Sequence, residues 1–357
     1  MGALTYEVRC LGEGIGRRSG WLNHIVPLAP PRLSILDLAL IGKGQTARDA
    51  FANSVRVAQL AEERGYERVW YAEHHNMAQI GASATSVLIA HVAAHTHRVR
   101  LGAGGIMLPN HAPLSIAEQF GTLAELHPGR IDLGLGRAPG SDQVTMRAMR
   151  RDHTSSDRFP QDVQELQGYL SDTSLVAGVE ATPGKGTHVP LYILGSSLFG
   201  AKLAAALGLP YAFASHFSPQ ALRQAVGTYR HEFQPSEQQA EPYVIAGVNV
   251  IAADTDEDAH AQHLTVRRAR GRMFVQKGIT LTDEQADEIL ASPQGAQIAE
   301  MMRYSAIGTP GDVKEFLDGF AEHADADELM VGAASPGIEA RLRSLELLAD
   351  VAGLVPA

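Results

Sequence analysis

The stretch VRLGAGGIMLPNHAPLSIAEQFGTLAELHPGRIDLGLGR, residues 99 to 137, carries one full structural unit. VRLGAGGIML is a short apolar run without clean alternation, which reads as a strand buried on both faces. APLSIAEQFGTLAELHPG repeats its apolar residues at helical spacing and closes in a Pro-Gly turn. RIDLGLGR is a second buried strand. A strand, a helix and a strand in this order make a βαβ unit, and two strands buried on both faces belong to a parallel sheet.

The same rhythm runs outward in both directions. Upstream lie the strand LSILDLAL, the helix TARDAFANSVRVAQLAEERG with Gly65 as its stop, the strand RVWYAEHH and the helix SATSVLIAHVAAHT. Downstream come the helix SDRFPQDVQELQGYL, strand PLYILGSS, helix FGAKLAAALG, strand PYAFAS, helix SPQALRQAVGTYRHEF and strand YVIAGVNVIAA. Residues 254 to about 305 read as mostly helical and exceed what one unit needs, so they read as an insertion. TPGDVKEFLDGFAEHA, ADELMVGA and IEARLRSLELLADVA complete the series as helix, strand and helix. Eight strands alternating with helices predict a (β/α)8 TIM barrel, one domain over residues 33 to 357. A doubly wound sheet would carry a nucleotide fingerprint at its first βα turn, and LALIGKGQT has too few glycines for one.

The composition agrees with a large soluble core: 357 residues, 45% hydrophobic and 20% charged. A formal charge of −10 disfavours nucleic acid and anionic membrane as partners. No apolar run reaches membrane-spanning length. One cysteine, Cys10, excludes an intrachain disulfide and a cysteine-based zinc site, which fits a cytoplasmic location. Residues 1 to 32 are rich in Gly and Pro and lack any period, so a poorly ordered extension is expected there. Arg17 and Arg18 loosely suggest a twin-arginine signal, but the apolar segment after them is short and interrupted.

In a barrel, the C-terminal strand ends line the active site. Strand two ends in Glu73, His74, His75 and Asn76; strand three in Gly104, Gly105 and IMLPNHAP; strand four in GLGRAPG with Arg137; strand five in Gly195, Ser196 and Ser197. Any one of these reads better as an ordinary βα turn; four together point to a site. His74 and His75 point to opposite sides of a strand and cannot easily share a metal ion. His91 and His95 stand at i and i+4 but lack a zincin glutamate, so they read as helix-surface residues. No metal site is expected. A histidine at a strand end suits proton transfer, because its ordinary pKa lies near neutrality. GSSLFGAKLAAALG sets hydroxyls and backbone N–H groups at a helix N-terminus, which suits a phosphate; caps with no ligand explain it as well. Arg158, at the start of the helix after strand four, is near enough in topology to join. Asp37, near the end of strand one, is a candidate substrate contact.

AEHH, GGIMLPNHAPLSIAEQFGTLAELHPGRIDLGLGR and the closing ADELMV resemble the bacterial luciferase-like flavin monooxygenases, most of all their single-chain oxidoreductase branch. The resemblance runs from about Leu33 to the C-terminus. It implies the barrel with a late insertion, and reduced flavin mononucleotide (FMN) bound at the strand C-terminal ends. It implies that His74 is the catalytic histidine, with His75 beside it. It places Arg137, Arg158, Ser197 and Gly200 at or near the flavin phosphate, and a cis peptide at Gly104–Gly105 against the flavin ring. Gly136 stands where luciferase has a reactive cysteine, which argues against light emission but not against flavin binding. The implied reaction spends reduced flavin and O2 on a small organic substrate. The family's habit implies a homodimer.

No dinucleotide fingerprint is present: IGKGQT, GAGGIM and GLGRAPG each fail in spacing or context. A separate flavin reductase is therefore expected as a transient partner. Three rival readings stand beside this one: a deazaflavin-dependent hydride transferase of the same fold, a non-enzymatic flavin-binding protein, and a metal-dependent barrel hydrolase.

Overall fold

The computed structural model describes residues 31–138, 142–272 and 281–356. The extension expected over residues 1 to 32 lies outside the described residues up to position 30. The elements in chain order are β1 (Arg32–Asp37), α1 (Ala47–Arg64), β2 (Arg68–Tyr71), α2 (Thr85–Ala93), β3 (Arg100–Met107), α3 (Pro113–Leu126), β4 (Ile131–Gly136), α4 (Gln143–Ala148) and α5 (Phe159–Leu170). They continue as β5 (Leu191–Gly195), α6 (Leu198–Leu207), β6 (Tyr211–Phe213), α7 (Leu222–Glu232), β7 (Val244–Ala252), α8 (Asp256–Arg272), α9 (Asp283–Leu290) and α10 (Pro293–Met301). The last are β8 (Ser305–Gly308), α11 (Pro310–Ala324), β9 (Glu328–Ala333) and α12 (Ile338–Ala352).

Every strand pairing in the sheet is parallel. The order β6-β5-β4-β3-β2-β1-β9-β7, closed by β6 on β7, makes the eight-stranded barrel wall, and the fold is the expected (β/α)8 barrel. One strand more than expected is present. β7 is nine residues long: its first residues pair with β6, and its end, from Asn249, pairs with β8 on the side β6 leaves free. β8 has four residues between two helices, too few to show a period, so the sequence hides it. The strand ADELMVGA, expected as the eighth, is β9, and α8, α9 and α10 occupy the excess before it.

Local signals place the helices well. Thr46 caps α1 through a reciprocal box with Asp49, and Gly65 ends it at φ 84°. Ile35, Val69, Tyr71, Leu101, Leu133 and Leu135 face the helices in the main core. Trp70, Tyr192, Ala212, Ile245 and Met330 fill the barrel interior, with Trp70 and Tyr192 edge-on at 5.0 Å. Below them the base is ionic. Arg68, 4% exposed, reaches Glu328 Oε1 at 2.9 Å, Asp132 Oδ2 at 2.7 Å and the Tyr192 hydroxyl at 2.8 Å. Arg100 also binds Asp132, and Tyr243 donates to Glu328 at 2.8 Å. These charges stand at strand starts, so they seal the N-terminal end of the barrel and leave the C-terminal end to chemistry.

Candidate active site

The strand ends assemble on one rim, and Glu73 organises part of it. Its side chain is 1% exposed. Oε1 accepts from Asn110 Nδ2 at 3.0 Å and lies 2.8 Å from His75 Nε2 and 2.9 Å from His111 Nε2. Oε2 accepts the Met107 N–H at 2.9 Å. Burial pushes the Glu73 carboxyl up, but the bonds from His111, His75 and Asn110 outweigh it and hold the carboxyl below its ordinary range. The carboxylate thus ties the end of β2 to the end of β3 and fixes the His75 ring.

His74, three residues past the end of β2, makes different contacts. Its backbone N–H donates to Ala82 O at 2.9 Å, while Nδ1 is buried with no partner among the described residues. Burial lowers its pKa; the Glu73 charge opposes that and the His75 charge reinforces it. His216, two residues past the β6 strand residues Tyr211–Phe213 and Ala214, is a second such group. Its Nδ1 is buried without a partner among the described residues, and its pKa is pushed down to about 4 by burial, by the Arg270 charge and by His74. Both imidazoles are therefore neutral near pH 7, and they share one electrostatic environment.

The other expected residues fall as follows. The Gly104–Gly105 bond is cis, and pairing between β3 and β4 shifts register there. The Arg137 guanidinium lies over the Phe199 ring at 4.1 Å, and its carbonyl accepts from Ser156 Oγ at 3.2 Å. Ser197 is the N-cap of α6, but its side chain makes no capping bond. The Ser197 hydroxyl thus leaves the N-terminal N–H groups of α6 uncapped. Its carbonyl accepts the Tyr211 hydroxyl at 3.0 Å. Gly195 and Gly200 approach closely: a Cβ on Gly200 would stand 3.7 Å from the Gly195 Cα and 3.3 Å from the Tyr211 ring. Ser196 lies between them on the same turn, exposed enough to meet a ligand. Arg158 precedes α5; its side chain is 73% exposed and lies 3.5 Å from Asp162.

Asp37 is the last residue of β1. It shares the helix-facing side of the strand with Ile35, is 4% exposed, and its Oδ1 accepts the Ala39 N–H at 2.8 Å. Tyr71 and Arg341 of α12 share its electrostatic surroundings. His91 on α2 and His95, two residues past its end, are exposed with ring centroids 4.7 Å apart. Among the described residues, no group of three or more His, Cys, Asp or Glu could hold a metal ion. His111, Asn110 and His216 are site residues that the sequence reading passed over. The signal was present: NHAP follows strand three, and SHF follows strand six on the same rim. What was missing was a partner for each, and Glu73 and His74 become partners only through folding.

Comparison with known proteins gives the family. Residues 32–326 match the family model of luciferase-like monooxygenases. A luciferase-like monooxygenase of Escherichia coli strain K12 is 47% identical over 322 residues, covering 89% of this chain and 96% of that protein. The N-acetyl-S-alkylcysteine monooxygenase of Bacillus subtilis is 38% identical over 245 residues, 67% of this chain and 72% of that protein. The crystal structure of apo-MsnO8 superposes with a TM-score of 0.84 at 36% identity, covering 92% of this chain and all of that one. Two more distant structures share the fold: the oxygenating constituent of 3,6-diketocamphane monooxygenase from Pseudomonas putida in complex with FMN, TM-score 0.66 at 17% identity and covering 92% and 99% of the two chains, and an F420-dependent secondary alcohol dehydrogenase, TM-score 0.61 at 15% identity and covering the same shares. The chain belongs to the luciferase-like monooxygenase family. It is an oxidoreductase of that kind.

Proposed function

We propose that this enzyme uses reduced FMN and O2 to oxidise a small organic substrate, and that a separate flavin reductase supplies the reduced flavin. The observation that carries the cofactor reading is the start of α6. An N-terminus without a side-chain cap, a close Gly195–Gly200 turn and the stacked Arg137 together suit a phosphate. Arg137, Ser196, Ser197 and Gly200 would hold the phosphate, with Arg158 at its edge. Gly104 and Gly105 would lie against the ring, where two residues without side chains allow close approach. Reduced flavin, when bound, supplies the electrons that activate O2.

The chain's own residues then have three tasks. The first is binding, at α6 and Arg137. The second is shape: Glu73 locks the β2 and β3 ends, so His75 and His111 stay fixed. The third is proton transfer, which falls to His74, neutral near pH 7 and so able to accept a proton. Asp37, lying on the helix-facing side of β1, is better read as a support for the loop through Ala39 than as a substrate contact.

A homodimer is proposed with this reading, because Val87 and Leu126 expose apolar surface on α2 and α3, which Ser86 and Gln119 join at 2.7 Å. A cytoplasmic location fits the single cysteine; no helix among the described residues is long and apolar enough to cross a membrane.

The test has two arms. The first measures the affinity of the purified chain for FMN and for the deazaflavin F420, by fluorescence. Binding of FMN well ahead of F420 is expected; the reverse would favour hydride transfer without O2. The second mixes the anaerobic, FMN-loaded chain with NADH or NADPH in a stopped-flow instrument. Slow, unsaturated bleaching that becomes fast only when a flavin reductase is added is expected. Fast saturating bleaching by the chain alone would overturn the two-component reading.

A further inference from the structure

One side chain holds the turn after β1. Asp37 Oδ1 accepts the Ala39 N–H at 2.8 Å. Ala39 is 1% exposed and stands at φ 49°, a left-handed conformation that alanine seldom adopts. A carboxylate oxygen that accepts the N–H two residues on is a recurrent way to hold such a turn. Asp37 pairs across the sheet with Tyr71, on the side that faces the helices. Its Oδ1 is thus committed to the backbone.

From this turn a series of contacts runs to His74. The chain around Ala39 lies antiparallel to residues 79–82, with a bridge between Leu40 and Ile80. Ile41 donates its N–H to Gln79 O at 2.8 Å, Gly81 donates to Ala39 O at 2.9 Å, and Ala82 donates to Leu38 O at 3.4 Å. The fit is close: a Cβ on Gly81 would stand 3.0 Å from the Phe51 ring of α1 and 3.1 Å from Ala39 O. Ala82 O then accepts the His74 N–H at 2.9 Å, and the Thr85 hydroxyl donates to Ala72 O at 3.1 Å. These two bonds hold the backbone on both sides of Glu73, beyond the end of β2.

We propose that Asp37 is a positioning residue for His74: its carboxylate fixes the Ala39 turn, and residues 38–41 and 79–82 pass that constraint to the His74 backbone. The two adjacent histidines are then held by different means. A side-chain carboxylate holds His75, and a backbone ladder that begins at the end of β1 holds His74. A histidine that exchanges protons needs a fixed ring and a ring nitrogen left for the proton. A backbone tether supplies the first without using Nδ1, which has no partner among the described residues. That His74 moves a proton rests on the proposed function; the tether rests only on these contacts.

The experiment uses the full chain with Asp37→Ala, Asp37→Asn and Gly81→Ala. Asp37→Ala removes the acceptor, Asp37→Asn keeps one, and Gly81→Ala presses on Ala39 O from the other end. Val57→Ala, which removes two buried methyl groups from α1, controls for a general loss of stability. Hydrogen exchange followed by mass spectrometry reads the amides of residues 74–82. NMR of labelled histidine reads the His74 ring, assigned with His74→Gln. Asp37→Ala and Gly81→Ala are each expected to speed exchange over 74–82 by about tenfold, and Asp37→Asn and Val57→Ala by about twofold at most. In the first two the His74 ring should also titrate higher, since burial lowers its pKa and loosening readmits water. The groups whose charges act with it, Glu73, His75 and His216, are kept in all four variants. Four results would each overturn the proposal: unchanged exchange over 74–82 in Asp37→Ala, an equal rise in Val57→Ala, an Asp37→Asn that matches Asp37→Ala, or a His74 titration that moves in neither Asp37→Ala nor Gly81→Ala. If Asp37→Ala does not fold, Gly81→Ala against Val57→Ala decides it. Failure of the wild type to bind FMN sinks the flavin reading instead, and exchange in the flavin-free chain still decides the tether.

Discussion

Replacing Glu73 by Gln tests whether the rim is organised by a buried charge. The exchange keeps the shape but converts one acceptor oxygen into a donor NH2. The carboxylate is approached by His75 at 2.8 Å, His111 at 2.9 Å, Asn110 at 3.0 Å and the Met107 N–H at 2.9 Å. Whichever way the amide turns, its NH2 meets donors. Toward Oε2 it faces the Met107 N–H; toward Oε1 it faces Asn110. At least one charge-assisted bond is lost, about 1.5–3 kcal/mol, and one buried donor is left unsatisfied, about 1–3 kcal/mol. The sum, about 2.5–6 kcal/mol, brackets the roughly 3–5 kcal/mol that removal of one partner from a buried ionic group commonly costs. With a urea slope of about 3 kcal/mol per molar, the unfolding midpoint at pH 7 should drop by about 1 M or more. The pH dependence has a definite sign. The folded carboxyl titrates below its ordinary range, so its stabilisation is complete above the unfolded value and fades as pH falls through the folded one. The gap between wild type and Glu73→Gln should hold from pH 5 to 7 and shrink in stronger acid. A midpoint within about 0.2 M of wild type at pH 7 would refute the claim that the charge holds β2 to β3.

Three more outcomes follow from particular contacts. Arg137→Ala should weaken FMN by about tenfold or more and riboflavin far less, because only FMN has the phosphate; equal losses in fluorescence titrations would remove Arg137 from that site. Arg68→Met should lower stability by about 3–5 kcal/mol, since it leaves Glu328 and Asp132 buried without their shared cation; an unchanged thermal midpoint would contradict this. His216, pushed down to about 4, resists protonation in the folded state while the unfolded chain takes the proton near 6.5. Wild-type stability should therefore fall as pH drops from about 6.5 toward 4, and His216→Gln should flatten that slope in urea titrations; equal slopes would show that His216 does not stay neutral in the fold.

Much of this protein is settled by local chemistry. Thr46, Gly65 and the periodicity of α1 are short-range signals, and they delimit the helix without reference to the rest of the chain. Apolar runs without alternation announce a parallel sheet, because only burial on both faces accounts for them. Once the barrel is inferred, strand ends such as Glu73–His74 and Arg137 are known to share a rim, since the fold carries every C-terminal strand end to one face. Relations between distant segments are different in kind. Glu73 meets His111 across 38 positions, Arg68 meets Glu328 across 260, and His216 is influenced by both His74 and Arg270. β8 has no visible period and exists because the end of β7 extends past β6 and offers an unpaired edge. The direction of Asp37 shows the same limit: its place near a strand end suggested the mouth, while the pleat turned it toward the helices with Ile35. Sequence spacing reports the periodicity of an element and therefore its burial. Which charge faces which histidine depends on long-range closure of the barrel, and no local pattern encodes that distance.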